Sequence, residues 1–393
     1  MASARIRAIV NIRADAVLPA PLDRVARPSA SSTYSATVFG RRAANIRCSM
    51  DVEKTIAEIE QLEHIHALPD TRSAQPPSGR LGARRIGPFK AAHIQLNAVL
   101  VATDFSPVSI GPLGRAVTIA RHYRAKLYLL HVISSLGFTL AGPAAVASAE
   151  RLTLRHAEQL EHSLVVSGAL QGLSHQAIVC DGDVCVALEE VIGQEHIDLV
   201  VIGTHSRMGL SKFIFGSIAE RILQTASAPV LTVGPKAAPE MELQPPNACR
   251  PVLCATDFSA ASLRVLPYAI ALANERFAKL VLLHVLPSAP RPQGNGWYMP
   301  QDISRMLREA QLSVRKRLQA LTSGAALSVE PEFIAELGEP AGEILRTAEQ
   351  LGAQLIVFGL PRRAHIDAIS HLPGSTAYQV VCGAPCAVLT INN

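Results

Sequence analysis

Glycine and serine residues follow an apolar strand in the segment GTHSRMGLSKFIFGS, which runs from Gly203 to Ser217. Glycine has no side chain, so the backbone at such positions can approach an anion closely. A helix that begins near Ser217 would add unpaired N–H groups and the positive end of its dipole. These residue types, in this order, predict a loop that binds phosphate.

An internal repeat organises the chain after residue 95. The residues AVLVATDFS, ending at Ser106, recur as PVLCATDFS, ending at Ser259, and KLYLLHVI recurs as KLVLLHVL at the same offset. Two matches at one offset indicate a tandem duplication. We therefore expect an N-terminal region over residues 1–94, a first domain over 95–236 (copy one) and a second over 248–393 (copy two).

Each copy has five short apolar strands separated by segments with helical period. In copy one the strands are expected near 98–103, 126–133, 174–180, 199–203 and 230–233, with helices over 144–166 and 184–194. Buried strands that alternate with helices are typical of a parallel sheet covered on both faces. The predicted fold is two tandem doubly wound five-stranded parallel-sheet α/β sandwiches. Ligands of such sheets bind at the carboxyl ends of the strands, where the strand order reverses, and Asp104 and Gly203 follow two strands that would meet there.

The motifs resemble those of the universal stress protein family. The resemblance rests on VATDFS, LLHVI and the pattern G-x2-G-x9-G-[ST] followed by APVLTV, and it covers about residues 95–235 and 248–393. It implies an adenine-nucleotide alpha-hydrolase-like fold that binds ATP or a relative, with or without magnesium. It also implies pairing through the last strand, within the chain or in a homodimer, and a role in stress response and survival.

The resemblance also implies contacts for individual residues of copy one. Asp104 would contact the ribose or adenine, and the backbone at Val132 would contact the adenine edge. The ribose and phosphates would lie against Gly203, Gly216 and Ser217.

Two positions of copy one depart from the family pattern. Ser206 stands at the second glycine of the pattern, and Ala102 stands where the ATP-binding form often has proline. Ser206 would either crowd a phosphate or donate a hydrogen bond to it.

Copy two departs further from the pattern. Its second glycine is also missing, Pro361 follows the strand, and Gly374-Ser375 lies two residues out of place. Nucleotide binding is therefore predicted for copy one, with copy two as its structural or regulatory partner. Two apolar segments that follow prolines, 229–233 and 385–391, are predicted to pair the copies.

Catalytic signatures are missing from the sequence. It has no GxxxxGK[ST] loop, no G-x-S-x-G elbow and no cluster with metal-ligand spacing. We predict no catalytic residue and no metal ligand, and at most slow ATP hydrolysis or self-phosphorylation at Ser217 or a neighbour. The alternative that stays open is an interaction scaffold, with a protein partner, in which both loops have lost nucleotide binding.

Composition limits the partners and the compartment. The net charge is +5, but residues 1–49 hold eight arginines and two aspartates, so the rest of the chain has no positive surplus for nucleic acid. No apolar run is long enough to span a bilayer. The seven cysteines show no zinc spacing and are interpreted as buried thiols, which favours the reducing cytoplasm. His131 and His284 are interpreted as hydrogen-bonded core histidines.

The N-terminal region carries no periodic apolar pattern before Met50. We favour the interpretation that translation starts at Met50, and a transit peptide is the alternative. A short amphipathic helix is predicted from Asp51, followed by a linker from Pro69 to Ala92 that is rich in proline, glycine and arginine. Residues 1–49 are therefore predicted not to dock on the domains, and their deletion is expected to leave folding unchanged.

Overall fold

The computed structural model describes residues 5–10, 94–104, 109–133, 155, 168–204, 217–237, 250–287, 300–361 and 375–392. Strand β1 is Arg5–Val10. The elements of copy one are β2 Ala98–Ala102, α1 Ile110–Tyr123, β3 Lys126–Ile133, β4 His175–Asp181, α2 Val184–Glu195, β5 Leu199–Gly203, α3 Ser217–Thr225 and β6 Val230–Val233. The five predicted strands of copy one and the helix predicted over 184–194 are therefore confirmed. The helices predicted over 144–166 and from Asp51 lie outside the described residues, apart from Arg155.

Copy two repeats this order of elements. They are β7 Val252–Ala255, α4 Ala260–Leu263, α5 Leu266–Glu275, β8 Leu280–Leu286, α6 Pro300–Leu321, β9 Glu332–Leu337, α7 Pro340–Leu351, β10 Leu355–Leu360, α8 Thr376–Gly383 and β11 Ala387–Asn392. The predicted doubly wound parallel α/β fold is confirmed, because the five strands within each copy are all parallel to their neighbours.

The strands form one eleven-stranded sheet in the order β1-β4-β3-β2-β5-β6-β11-β10-β7-β8-β9. The last strands of the two copies, β6 and β11, are antiparallel neighbours, with Leu231 opposite Leu389. The buried hydroxyl of Thr232 donates to the carbonyl of Val388 at 3.1 Å, and that of Thr390 donates to the carbonyl of Val230 at 3.3 Å. Hydrogen bonds between backbone and side chains thus cross this boundary in a nearly symmetric way.

Alternating side chains of the strands build two apolar layers. Leu100 and Val200 face a layer covered by α2, α3, α7 and α8. Val99 and Val201 face the opposite layer, which is covered by α1, α4, α5 and α6. This alternation is the period of two that a strand imposes on its side chains. None of the helices in the described ranges is long and apolar enough to cross a membrane.

The edge of the sheet holds an element that the sequence patterns did not predict. Arg5–Val10 pairs antiparallel with β4, from Arg5 opposite Asp181 to Val10 opposite Ala177. The prediction that residues 1–49 do not dock is therefore wrong for this segment. Strand addition at an edge uses backbone N–H and C=O groups, so it needs no periodic apolar pattern in the added strand.

Candidate nucleotide site

The candidate site of copy one lies where the order of the sheet reverses. Strands β2 and β5 are parallel neighbours, with Val101 opposite Val201, and β3 and β6 lie on their outer sides. Ala102 and Gly203 therefore end adjacent strands at the same edge of the sheet. The prediction that the first and fourth strands of the copy flank the reversal is confirmed.

Asp104 lies just beyond β2 and is half-buried. The hydroxyl of Ser109 donates to its Oδ1 at 2.6 Å. Ser109 precedes α1, and its side chain makes no capping hydrogen bond to that helix. The hydroxyl that would ordinarily cap the helix thus holds the Asp104 carboxylate in place at the carboxyl end of β2.

The neighbouring strand end is held by a histidine. The backbone N–H of Thr103 donates to the carbonyl of Leu130 at 2.9 Å, which extends the pairing of β2 with β3. Nδ1 of His131 lies 2.9 Å from the carbonyl oxygen of Thr103. His284 makes the equivalent contact with the carbonyl of Thr256 at 2.8 Å in copy two. Both histidines are hydrogen-bonded structural residues, as predicted, and Val132 follows His131 as a half-buried residue near the end of β3.

Gly203 allows α1 to pack against the end of β5. A Cβ added there would lie 3.0 Å from Cγ of Pro112, and no other described atom would be within 4 Å. The following residue, Thr204, is buried. The glycine therefore serves close packing by a side chain, while no backbone of the described chain blocks this strand end.

The loop between β5 and α3 is outside the described residues. It contains Ser206 and Gly216, so their predicted phosphate contacts stay predictions. Ser217 is the first residue of α3, which is where the sequence predicted that a helix begins.

An ion pair that the sequence patterns missed holds α3 against α2. Asp183 is the N-cap of α2 and accepts hydrogen bonds from the N–H groups of Cys185 at 2.9 Å and Val186 at 3.2 Å. Its carboxylate also accepts two hydrogen bonds from Arg221 of α3, at 2.8 and 3.0 Å. The bonds from Arg221 are the main reason that the pKa of Asp183 lies below its ordinary value. An aspartate between a strand and a helix signals an N-cap, but nothing in the sequence pairs it with Arg221.

Hydrogen bonds within its own turn hold Asp257 in copy two, which is the counterpart of Asp104. Its Oδ1 accepts from the backbone N–H of Ser259 at 2.9 Å and from the hydroxyl of Ser259 at 2.6 Å. Burial opposes ionisation of Asp257, but these hydrogen bonds and one from Ser262 outweigh it, so the pKa is lowered. The interpretation of Asp257 as a turn residue at the strand end agrees with this geometry.

The backbone of helix α4 blocks the strand end in copy two. A Cβ on Gly359 would overlap the carbonyl of Ala261 and would lie 2.9 Å from the backbone nitrogen of Ser262. Next to this helix, the ring of Phe258 packs 4.7 Å from the ring of His284, and the guanidinium of Arg317 lies 4.1 Å above it. The place where a nucleotide would lie against Gly359 is filled by the chain itself.

The described side chains offer no metal centre. No group of three or more His, Cys, Asp or Glu side chains in this part of the chain could hold an ion. The arrangement at copy one is instead a half-buried carboxylate beside a glycine at a strand end, with a helix N-terminus following the loop. Such an arrangement can hydrogen-bond a ribose hydroxyl and accept an anion.

Comparisons with known proteins give the same organisation. The universal stress protein family matches the chain twice, over residues 96–234 and 249–392. Universal stress protein MJ0531 of Methanocaldococcus jannaschii is 28% identical over 138 residues, which are 34% of this chain and 80% of the relative. The crystal structure of a universal stress protein from Archaeoglobus fulgidus covers 76% of this chain and 99% of its own, with a TM-score of 0.54 and 21% identity. Another structure from that organism, in complex with dAMP, is 23% identical over 36% of this chain and 96% of its own, with a TM-score of 0.25.

Proposed function

The chain belongs to the universal stress protein family, and on that premise we propose that copy one binds one adenine nucleotide, ATP or a close relative, while copy two binds none. The observation that carries the proposal is the difference between the two strand ends. Among the described atoms, the end of β5 meets only a side-chain ring of Pro112, whereas the end of β10 is covered by the backbone of Ala261 and Ser262.

The proposed contacts follow the family pattern onto the residues of copy one. Asp104 accepts a hydrogen bond from the ribose, held in place by Ser109, and the backbone at Val132 contacts the adenine edge. The backbone near Gly203 and Gly216 approaches the phosphates, and Ser217 presents the N-terminus of α3 to them. Ala102 takes the place of the proline found in the ATP-binding form, and Ser206 lies beside the phosphates. Where magnesium accompanies ATP, the phosphate oxygens hold it, because no acidic cluster of the described chain is available.

Pairing of the two copies within one chain is the second part of the proposal. The pairing of β6 with β11 supports it, and so does the amide of Asn392, which donates to the carbonyls of Leu223 at 2.7 Å and Ala226 at 2.9 Å. In this arrangement copy two satisfies the strand edge of copy one that a second subunit would otherwise cover. We propose that the chain acts in the cytoplasm as a nucleotide-responsive component of stress survival. Further homodimerisation or a protein partner is not needed to complete the site.

Calorimetric titration of the full chain with ATP tests the proposal. We expect about one site per chain, and we expect Gly216→Val to abolish binding because a branched side chain would stand where phosphate approaches the backbone. Asp104→Ala should weaken binding, while the matched change Asp257→Ala in copy two should leave it intact. Ser206→Gly should tighten binding if the serine crowds the phosphate and weaken it if the hydroxyl donates.

Two results would contradict the proposal. If neither the wild type nor Ser206→Gly binds ATP, ADP, AMP or cAMP at millimolar concentration, the nucleotide function is wrong and the interaction scaffold is left. If Asp257→Ala abolishes binding and Asp104→Ala does not, the assignment of the site to copy one is wrong.

A further inference from the structure

A cavity of about 80 Å³ lies between the two copies, away from the candidate nucleotide site. Its floor is formed by Leu231 and Leu389, which face each other across the pairing of β6 with β11. Leu199 and Leu355 also line it and are the first residues of β5 and β10. The cavity is therefore at the amino ends of these strands, whereas the candidate nucleotide site is at the carboxyl ends.

Equivalent helices of the two copies supply the walls. Ile119 of α1 and Leu272 of α5 line opposite sides of the cavity. The C-terminal ends of these helices are joined through Glu275, which lies 2.9 Å from Nε2 of His122 and accepts a hydrogen bond from the hydroxyl of Tyr123 at 2.7 Å. Burial and this hydrogen bond raise the pKa of Tyr123 well above its usual range, so the hydroxyl stays protonated as the donor. The wall is thus held by contacts that join copy one to copy two.

The polar side chains of the wall are engaged with other groups of the protein. The carboxylate of Asp198 accepts hydrogen bonds from the N–H groups of Asn97 at 2.6 Å and Ala98 at 3.0 Å. Arg276 donates to the side-chain oxygen of Gln354 at 3.1 Å. What these residues and the leucines present to the cavity is mainly hydrocarbon. Water gains little in such a space, because a bound water needs two to four polar partners.

We infer that this cavity is a binding site for a compact uncharged apolar molecule, of the size of a single aromatic ring or a short branched alkane. The volume is well above the roughly 10–15 Å³ that one water needs, and apolar cavities of about 150 Å³ bind benzene. The ligand contacts residues of both copies, so its binding stabilises their association. This makes the boundary between the copies a second ligand site, separate in place and chemistry from the proposed nucleotide site.

Toluene is a suitable probe for the full chain. We expect saturable binding of one toluene per chain, detected by titration with 4-fluorotoluene in fluorine NMR and by displacement with toluene. At a concentration about 100 times the Kd, toluene should raise Tm by about 5 °C. Leu272→Phe fills the cavity and should weaken binding at least tenfold. Leu312→Phe is the matched control, because Leu312 is exposed on α6 and does not line the cavity.

Methyl NMR of leucine-labelled protein keeps the test valid if Leu272→Phe folds poorly. The methyl signals of Leu231 and Leu389 should shift on toluene addition, and those of Leu283, which is buried in the opposite layer, should not. Absence of saturable binding up to the solubility of toluene, unchanged affinity in folded Leu272→Phe, or larger shifts at Leu283 would each overturn the inference. Displacement of toluene by ATP would also overturn it, because the two sites would then not be separate.

Discussion

Replacing Asp183 should destabilise copy one, because its carboxylate both caps α2 and joins it to α3. The side chain accepts from the N–H groups of Cys185 and Val186 and forms two hydrogen bonds with Arg221. The paired side chains are partly exposed, at 41% for Asp183 and 34% for Arg221, so solvent screens their attraction.

The expected magnitude follows from the two contributions. Loss of an N-cap costs about 1 kcal/mol, and a partly exposed ion pair adds about 0.2–1 kcal/mol. Asp183→Ala should therefore lower the free energy of unfolding by about 1.5 kcal/mol, which corresponds to a fall in Tm of about 3–6 °C. Asp183→Asn retains an oxygen that caps the helix and loses only the charge, so its cost should stay below about 1 kcal/mol.

Thermal melting followed by circular dichroism measures these differences, and the chain offers a matched control. Glu339 caps α7 of copy two through the N–H groups of Ala341 and Gly342, and no ion pair to it occurs within the described ranges. Glu339→Ala should therefore cost less than Asp183→Ala. Arg221→Gln should cost as much as Asp183→Asn, and the double variant Asp183→Asn with Arg221→Gln should cost little more than either alone.

The pH dependence supplies an independent check on the ion pair. The pKa of Asp183 is lower in the folded chain than in the unfolded chain, so its stabilisation is present above the unfolded pKa and is lost as pH falls through the folded pKa. The difference in Tm between wild type and Asp183→Asn should thus be constant near neutral pH and should narrow as pH falls below about 5. A difference that grows in acid, or a cost of Glu339→Ala that exceeds that of Asp183→Ala, would refute this reasoning.

Two further predictions concern packing and burial. Gly359→Ala should lower Tm more than Gly203→Ala, because the new methyl group meets the backbone of Ala261 in the first case and a side-chain ring in the second, and overpacking costs about 1–3 kcal/mol; equal shifts would show that the two strand ends are alike. Burial raises the pKa of the Cys254 thiol to about 12, so iodoacetamide at pH 8 should leave it unlabelled in the native chain and label it in urea, as peptide mass spectrometry can show; rapid native labelling would show that the site opens.

The duplication, the strand positions and the place of the strand-order reversal were all predictable from the residues. Repeated motifs lie at a fixed offset, and five apolar strands in helical surroundings favour one class of sheet. Asp104 and Gly203 were placed correctly for the same reason, since both directly follow strands that flank the reversal. The interpretation of His131 and His284 was also right, because a histidine ending a buried strand usually needs a hydrogen-bonding partner nearby.

Contacts between distant residues were decided only by the tertiary structure. The ion pair of Asp183 with Arg221 and the bond of Tyr123 to Glu275 join residues that no local pattern relates. The strand Arg5–Val10 was missed because backbone pairing at an edge leaves no periodic signal in the sequence.

The difference between the two strand ends shows the same division. Both copies place a glycine after the fourth strand, and the sequence alone determined that position and the type of sheet around it. Whether a proline ring or a helix backbone lies against the glycine depends on where α1 and α4 begin and how they pack over the sheet. Periodicity is set by near neighbours along the chain, whereas the space at a strand end is set by distances of a few tenths of an ångström between residues far apart in sequence.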